Sequence, residues 1–514
     1  MKNNINTDLW LSRVGLGLIF CYCLMASIFY SYFAQIHLTL HFFPFPIFVG
    51  EVLLFICLVL LGWVCKDGKS FTRRTILLLG LYFGWVLVKA LINYCYDGPL
   101  TCRNAALFYY PIFAVFAYCF YQKARIPRNV LMSLALLAAG IMFFKVMIIY
   151  YWWTYVTLFV IVVWNTKSVK WRRCGWIFLA VIFILGKEYF YQGSRAHFVS
   201  VFSAIVFLVS YFWALLAKRR EYVRLIILFI TVLFFTLGYF VFSEHNTVSS
   251  VTSLKEMVNT YNAFDRQYQA KQAAFVPEKL SVRLYNPKKF ATPFLPSSRI
   301  IFQPAVPASA PAQPAVSASA TSQQAVSGPV VPSSLQDAGR SPLPGWMENI
   351  LNDILCSRIR EGRSLDLDEN NIVFRLFVWR DMARELVEKR AWGGFSFGHP
   401  QRSRSLEVLG WAQTEWARDG WITPHNSFFH IIYRAGILGV ALIGILFFMV
   451  GRLIRDFFNM NSIEGGLLVG ALIYWLVLSN FLVILEFPYD AIVFWSLFGI
   501  TWAYRDGLKA KAVR

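Results

Sequence analysis

The chain has 514 residues, is 57% hydrophobic and 18% aromatic, and carries a formal net charge of +21 with only 15% charged residues. A soluble domain has about 25% charged residues. A soluble fold of this length would lack the polar skin it needs, and a largely disordered chain or a small disulfide scaffold is excluded as well. The excess of Lys and Arg fits either a nucleic-acid partner or a membrane protein with its positive charge on one side of the bilayer, and the position of each base decides between them.

Apolar runs of about 20 residues read as transmembrane helices. Nine precede residue 244, at roughly 12–33, 47–65, 75–95, 105–121, 129–144, 147–164, 174–190, 197–217 and 225–243, and three more fall at 431–450, 465–485 and 490–504. The fifth and sixth are divided only by a break near Lys145 and could form one kinked helix. The first follows Lys2 and Arg13 but is long and has no small-residue cleavage site, so it reads as a retained helix.

The loops between these runs alternate in charge. Lys66, Lys69, Arg73 and Arg74 open the basic set. Lys123, Arg125 and Arg128, then Lys167, Lys170, Arg172 and Arg173, continue it. Lys218, Arg219, Arg220 and Arg224 follow, then Arg452 and Arg455, then the tail from Arg505 to Arg514. The intervening short loops hold only Arg103, Lys145, Lys187 and Arg195. Positive loops stay cytoplasmic. Twelve spans with both termini cytoplasmic satisfy every loop, whereas merging spans five and six puts two basic loops on the wrong side. Sorted this way, the cytoplasmic segments carry a net +17, the short outer loops balance, and residues 244–424 add +3. The charge is a topology signal, and a nucleic-acid partner has little left to explain.

The expected fold is thus an all-α polytopic membrane protein. Residues 1–243 hold spans one to nine, 244–424 form an extracytoplasmic loop between spans nine and ten, and 425–514 hold spans ten to twelve and the tail. Within the loop, residues 286–345 are rich in Pro, Ala, Ser, Val and Gln, as in Gln303-Pro304-Ala305-Val306-Pro307-Ala308. Such composition buries too little to offset its ordering entropy, which predicts a disordered spacer. Amphipathic helices are predicted between 346 and 418. The first, at 346–360, places Trp346, Ile350, Ile354 and Leu355 on one side. The second, at 371–390, repeats Phe374, Phe377, Val378, Met382, Leu386 and Val387 at helical spacing. A third covers 403–418. Gly393, Gly394 and Gly398 break the pattern between the last two. Cys95 and Cys102 flank an outer loop at a separation open to a disulfide, Cys356 has no evident partner, and no zinc-ligand spacing occurs.

Three groups on the outer side could do chemistry. Gly193-Ser194-Arg195 lies where span eight begins, a place where an arginine also serves as a snorkelling anchor. Arg375 stands on the second amphipathic helix, four residues before Trp379, where the alternative is a solvated face. His425-Asn426 follows Pro424 at the start of span ten, with Arg434, Gly436 and Gly439 beyond it. The Pro before the histidine and the glycines after it suggest a helix start close to other backbone. Two arginines offer bidentate recognition of phosphate, and a histidine near neutrality can take a proton from a hydroxyl. Outside and at bilayer level, the combination suits a lipid-diphosphate substrate, whose diphosphate is already a good leaving group.

His425-Asn426, nine residues, Gly436, two residues and Gly439 together resemble the pattern of the bacterial O-antigen ligase family, whose superfamily includes the O-antigen polymerases. Ser194-Arg195-Ala196 resembles its Ser-Arg-Gly segment, Phe374-Arg375 with Trp379 its Arg-to-Trp helix, and Gly394-Phe395-Ser396-Phe397-Gly398 its glycine turn. Glu486-Phe487-Pro488 before the last span also looks like the family. The likeness covers about 185–215 and 370–505. It implies a metal-independent, cofactor-free, inverting glycosyltransferase. The donor would be a glycan on undecaprenyl diphosphate, and the acceptor a sugar hydroxyl of lipid A–core in a ligase or of another glycan in a polymerase. Arg195 and Arg375 would hold the diphosphate and His425 would orient or deprotonate the acceptor. Ser194, Asn426 and Arg434 would contribute to binding, and the site would face the periplasm from the bacterial inner membrane. The Pro/Ala/Ser insert departs from the family pattern.

Other signals compete. Asp366-Leu367-Asp368 has the form of a metal–nucleotide motif, but three-residue patterns arise by chance. His37 and His41 could share a helix face without a third ligand. Lys89 and Glu51 lie in or at spans, where charges are functional candidates by default, and could pair with each other or face the cavity. A transporter or flippase for lipid-linked sugars also fits twelve spans. Against it, the candidate polar residues gather at one mouth and the two halves show no repeat.

Overall fold

The structure, a computed structural model, describes residues 2–38, 47–65, 73–98, 100–124, 149–165, 195–220, 367–409 and 423–513, with short stretches at 168–170, 173–175, 177, 262–263, 265–266 and 269. Predicted spans five and nine, nearly all of span seven, the Pro/Ala/Ser segment 286–345 and the helix at 346–360 lie outside the described residues.

In chain order the helices are α1 (Lys2–Gln35), α2 (Val49–Val64), α3 (Arg73–Asp97), α4 (Leu100–Tyr109), α5 (Ile112–Ala124) and α6 (Ile149–Asn165). They continue with α7 (Arg195–Lys218), α8 (Leu367–Glu388), α9 (Arg404–Leu409), α10 (Ser427–Asn459), α11 (Ile463–Leu478) and α12 (Pro488–Val513). The chain is a predominantly helical membrane protein. Among the described residues, five helices are long and apolar enough to cross a bilayer: Thr7–Phe29, Arg73–Asp97, Thr101–Ala124, Val199–Lys218 and Ser427–Asn459. Val49–Val64 and Ile463–Leu478 are shorter apolar helices.

Local chemistry sets the departures from the sequence reading. The all-α expectation misses a two-residue antiparallel pair, His37–Leu38 (β1) with Ile47–Phe48 (β2), that leads into α2. Predicted span four falls within the Thr101–Ala124 span, which is interrupted at Pro111, a residue that cannot donate within a helix, into α4 and α5. Predicted span eleven stops at Leu478 instead of 485, and residues 479–487 form turns that belong to the candidate site. The third amphipathic helix is seen at Arg404–Leu409, with 410–422 outside the described residues. Cys95 and Cys102 are both free thiols, so the possible disulfide is not formed.

Two layers of packing hold the bundle. In one, α1, α2, α5 and α12 meet through Ile19, Tyr22, Leu53, Phe113, Phe116, Phe120 and Ile492. In the other, α7 lies along α11, which also touches α6, α10 and α12, around Tyr211, Leu215, Leu453, Phe457, Val469 and Trp475. Large apolar side chains point outward instead on α3 (Leu77, Leu78, Leu81, Leu87) and α10 (Ile437, Val440, Phe448), as a lipid-facing surface requires.

At one end Arg219 donates to Asn461 O (2.6 Å), Lys509 pairs with Asp456 (2.7 Å), and Arg13 donates to Ala124 O (3.0 Å). Arg219 and Lys509 come from segments expected on the cytoplasmic side. The opposite end gathers residues 391–403, 423–426 and 479–487 with the junction of α3 and α4.

Candidate functional site

The site is organised by a break in α10. Gly436 takes φ 57° and ψ −133° inside that helix, a conformation only glycine adopts without strain. A break in a span is tolerated where other protein satisfies the released backbone groups. Here the loop after α8 does so. Ile437 N donates to Trp392 O and Phe395 N donates to Tyr433 O, both at 2.9 Å. Lys89 Nζ donates to the released Arg434 carbonyl (2.7 Å) and lies 5.0 Å from the Phe397 ring centre. Glu51 meanwhile accepts from the Tyr109 and Tyr110 hydroxyls (2.7 and 2.6 Å). The two intramembrane charges therefore do not pair with each other, and Lys89 serves the break in α10.

Gly394 (φ 73°) sits against the Arg434 and Ala435 backbone, where a Cβ would come within 2.5 Å. The expected close approach of backbone to Gly436 and Gly439 is present, since a Cβ on them would fall 2.0 Å from Trp392 O and 2.6 Å from Ile431 O respectively. Ser396 Oγ donates to Asp97 (2.6 Å) and Asn104 Nδ2 to Phe397 O (2.6 Å), tying the same loop to α3 and α4.

α8 lies over this end through a small core of Phe377, Val378, Met382, Leu406 and Tyr433. Glu385 accepts from the Tyr433 hydroxyl (2.6 Å), Lys389 Nζ (2.7 Å) and His399 Nε2 (3.0 Å). Burial alone would raise its pKa, but these three hydrogen bonds win and hold it down at about 2. Asp381 accepts from Ser403 Oγ (2.6 Å) and from Ser405 N and Oγ (2.7 Å each), fixing the start of α9.

Two α8 side chains reach the predicted histidine's surroundings. Trp379 Nε1 donates to Pro424 O (2.5 Å), and Arg375 Nη1 donates to Phe481 O (2.8 Å) in the turn after α11. His425, next to Pro424, has the left-handed φ of 49°, uncommon for a residue with a Cβ. Asn426 is the N-cap of α10, its Oδ1 accepting from Phe429 N (2.9 Å). The His425 side chain is partly exposed, yet its Nδ1 is buried and meets no hydrogen-bond partner among the described residues. Burial and the charge of Arg375 lower its pKa to about 4, against an opposing pull from Glu486. At neutral pH it is an uncharged imidazole beside a guanidinium.

The structure thus brings Arg375 and His425 together and assigns Asn426 to a helix cap. Arg195 opens α7, while Ser194 lies outside the described residues. Arg434 is 1% exposed and turned inward, donating to His430 Nε2 (3.0 Å), Ser396 O and His399 O (both 2.7 Å). Sequence reading did not single out His430, and noticed Glu486 only within a family-like stretch. They form a buried hydrogen bond of 2.5 Å between Nδ1 and Oε1. The available signal was an acid and a histidine within or beside spans, where ionisable groups seldom occur without a role. Asp366 and His41 lie outside the described residues, and no group of three metal-ligating side chains occurs among the described ones.

Fold and site define a helical membrane protein with a polar, partly covered site at one end of its bundle. No family model, curated protein or solved structure matches the chain. The likeness to O-antigen ligases rests on the motifs themselves.

Proposed function

We propose that the protein is a bacterial inner-membrane glycosyltransferase of the O-antigen ligase type, with twelve spans, both termini cytoplasmic and the site facing the periplasm. It transfers a glycan from undecaprenyl diphosphate to a sugar hydroxyl of lipid A–core. The observation that carries this reading is the convergence at one end of the bundle of Arg375, held by Phe481 O, and the partly exposed His425, whose neighbour Pro424 is held by Trp379 one turn along the same helix. Arg375, joined by Arg195, holds the donor diphosphate and stabilises the charge that develops as it leaves. His425 takes the proton of the acceptor hydroxyl. The acceptor oxygen bonds to the anomeric carbon from the face opposite the leaving group, and the carbon–oxygen bond to the diphosphate breaks with its electron pair. Undecaprenyl diphosphate departs and the anomeric centre inverts. No metal is called for, since arginines neutralise the diphosphate.

The test uses the purified full chain in lipid vesicles, with an undecaprenyl-diphosphate glycan and lipid A–core. A larger glycolipid and free undecaprenyl diphosphate, undiminished by chelator, are expected. Elongation of the donor glycan alone would instead make the protein a polymerase, and movement of donor without a covalent product would make it a transporter.

A further inference from the structure

The end of α8 leaves two large apolar side chains and a cation uncovered. Arg390 N donates to Val387 O (3.1 Å) and Ala391 N to Leu386 O (2.9 Å), the paired bonds of a Schellman turn. The residue in its left-handed position is Arg390, at φ 49°, where a helix usually places glycine. The turn delivers the chain to Trp392, whose carbonyl accepts from Ile437 N just past the break in α10. The backbone there is held, yet the side chains face outward: Trp392 is 62% exposed and Val387 65% exposed. Arg384 and Lys389, in the last turns of α8, pair with Glu388 and Glu385 (2.7 Å each). The exposed Arg390 guanidinium has no hydrogen bond or ion pair among the described residues.

Ile437 is also where the lipid-facing stretch of α10 begins, continuing through the exposed Val440 and Phe448. The first base beyond it in the chain is Arg452. From Ile437 to Arg452 a helix rises about 22 Å at about 1.5 Å per residue, short of the roughly 30 Å of hydrocarbon in a bilayer. Apolar surface has to continue past Ile437 on the site's side. The exposed apolar residue joined to Ile437 there is Trp392, with Val387 in the last turn of α8. A tryptophan suits the headgroup level of a membrane, and an arginine beside it offers a fork for phosphate. We propose that the end of α8 is a membrane-interface anchor: Val387 and Trp392 enter the leaflet on the site's side, and Arg390 binds the phosphate of an anionic phospholipid there. The anchor does not depend on the transferase reading.

The test uses the full chain in nanodiscs of phosphatidylglycerol and phosphatidylcholine in equal amounts. The photo-crosslinking residue p-benzoylphenylalanine replaces Trp392 in one variant, Val387 in a second and the lipid-facing Ile437 in a third. All three side chains are exposed, so the backbone bond between Ile437 N and Trp392 O is kept. Folding of each is checked by denaturant titration, and either of the first two, if folded, decides the question. After irradiation, intact-mass analysis should show a phospholipid added at 392 and 387, as at 437. A product at 392 or 387 that joins two copies of the chain, or no adduct there while 437 acquires lipid, overturns the proposal. Among adducts at 392, phosphatidylglycerol should exceed phosphatidylcholine about fivefold, and Arg390→Gln should bring the two yields close to equal. Equal yields with Arg390 in place, or an excess that Arg390→Gln leaves unchanged, overturns its assignment as the phosphate ligand.

Discussion

Gly436→Ala tests whether the break in α10 is built into the fold. The added Cβ would stand 2.0 Å from Trp392 O and 2.5 Å from Gly394 N, both backbone atoms with no rotamer to escape into. A non-glycine residue at this φ and ψ costs about 1–3 kcal/mol. Displacing the loop also weakens Ile437 N to Trp392 O and Phe395 N to Tyr433 O, at about 1 kcal/mol each. The expected loss is about 3–5 kcal/mol, read by denaturant unfolding of the purified protein in mild detergent. At Gly444 of the same helix an added Cβ would meet nothing within 4 Å. Gly444→Ala should therefore be neutral or stabilising by up to ~1 kcal/mol. If Gly436→Ala unfolds within about 0.5 kcal/mol of the wild type, α10 straightens at no cost and the loop is not seated by the break.

Lys89→Met leaves the Arg434 carbonyl without its described donor and should destabilise by about 1–3 kcal/mol, measured in the same titration. Acid should weaken the fold in two windows. His425 is held neutral, with a folded pKa of about 4 against 6.5; its contribution is complete above 6.5 and is lost as pH falls towards 4, and His425→Gln should abolish that first window. Glu385 is held ionised, at about 2 against 4.5; its contribution is complete above 4.5, is lost as pH falls towards 2, and amounts to roughly 3 kcal/mol at neutral pH. Tyr433→Phe removes one of its donors and should shrink that second window by about 1 kcal/mol. In a transfer assay, kcat/KM should keep its neutral-pH value down to about pH 4 and fall below it, where an unperturbed histidine would already lose activity below 6.5.

Much of the bundle was legible because hydropathy and loop charge report on separate properties. A span's length follows from the thickness it crosses, and α3 and α7 fall within two residues of the predicted runs. Arg219 caps Asn461 O, while Arg505 and Lys509 pair with Asp506 and Asp456. Hydropathy failed where polar contact competes with it. Residues 481–485 are apolar, but Ser427, Arg375 and the α10 N-terminus hold the segment from Ser479 as turns instead of an extension of α11. The site was half legible. Arg375 and His425 carry motif spacing, and Gly436 and Gly439 announced a close backbone approach. Arg434 was expected to contribute to binding on the family likeness alone. Its inward hydrogen bonds depend on residues 35–38 positions earlier, which no local pattern reveals.

The central claim is that Arg375 and His425 carry out glycan transfer together. The most direct measurement is the initial rate of glycolipid formation by reconstituted wild type, His425→Ala and Arg375→Ala, each shown to match the wild type in folding by the denaturant titration. The account predicts that His425→Ala lowers kcat by about 10²-fold or more, and that Arg375→Ala lowers kcat/KM for the lipid-diphosphate donor by a comparable factor. A folded His425→Ala protein that forms product at the wild-type rate would contradict it.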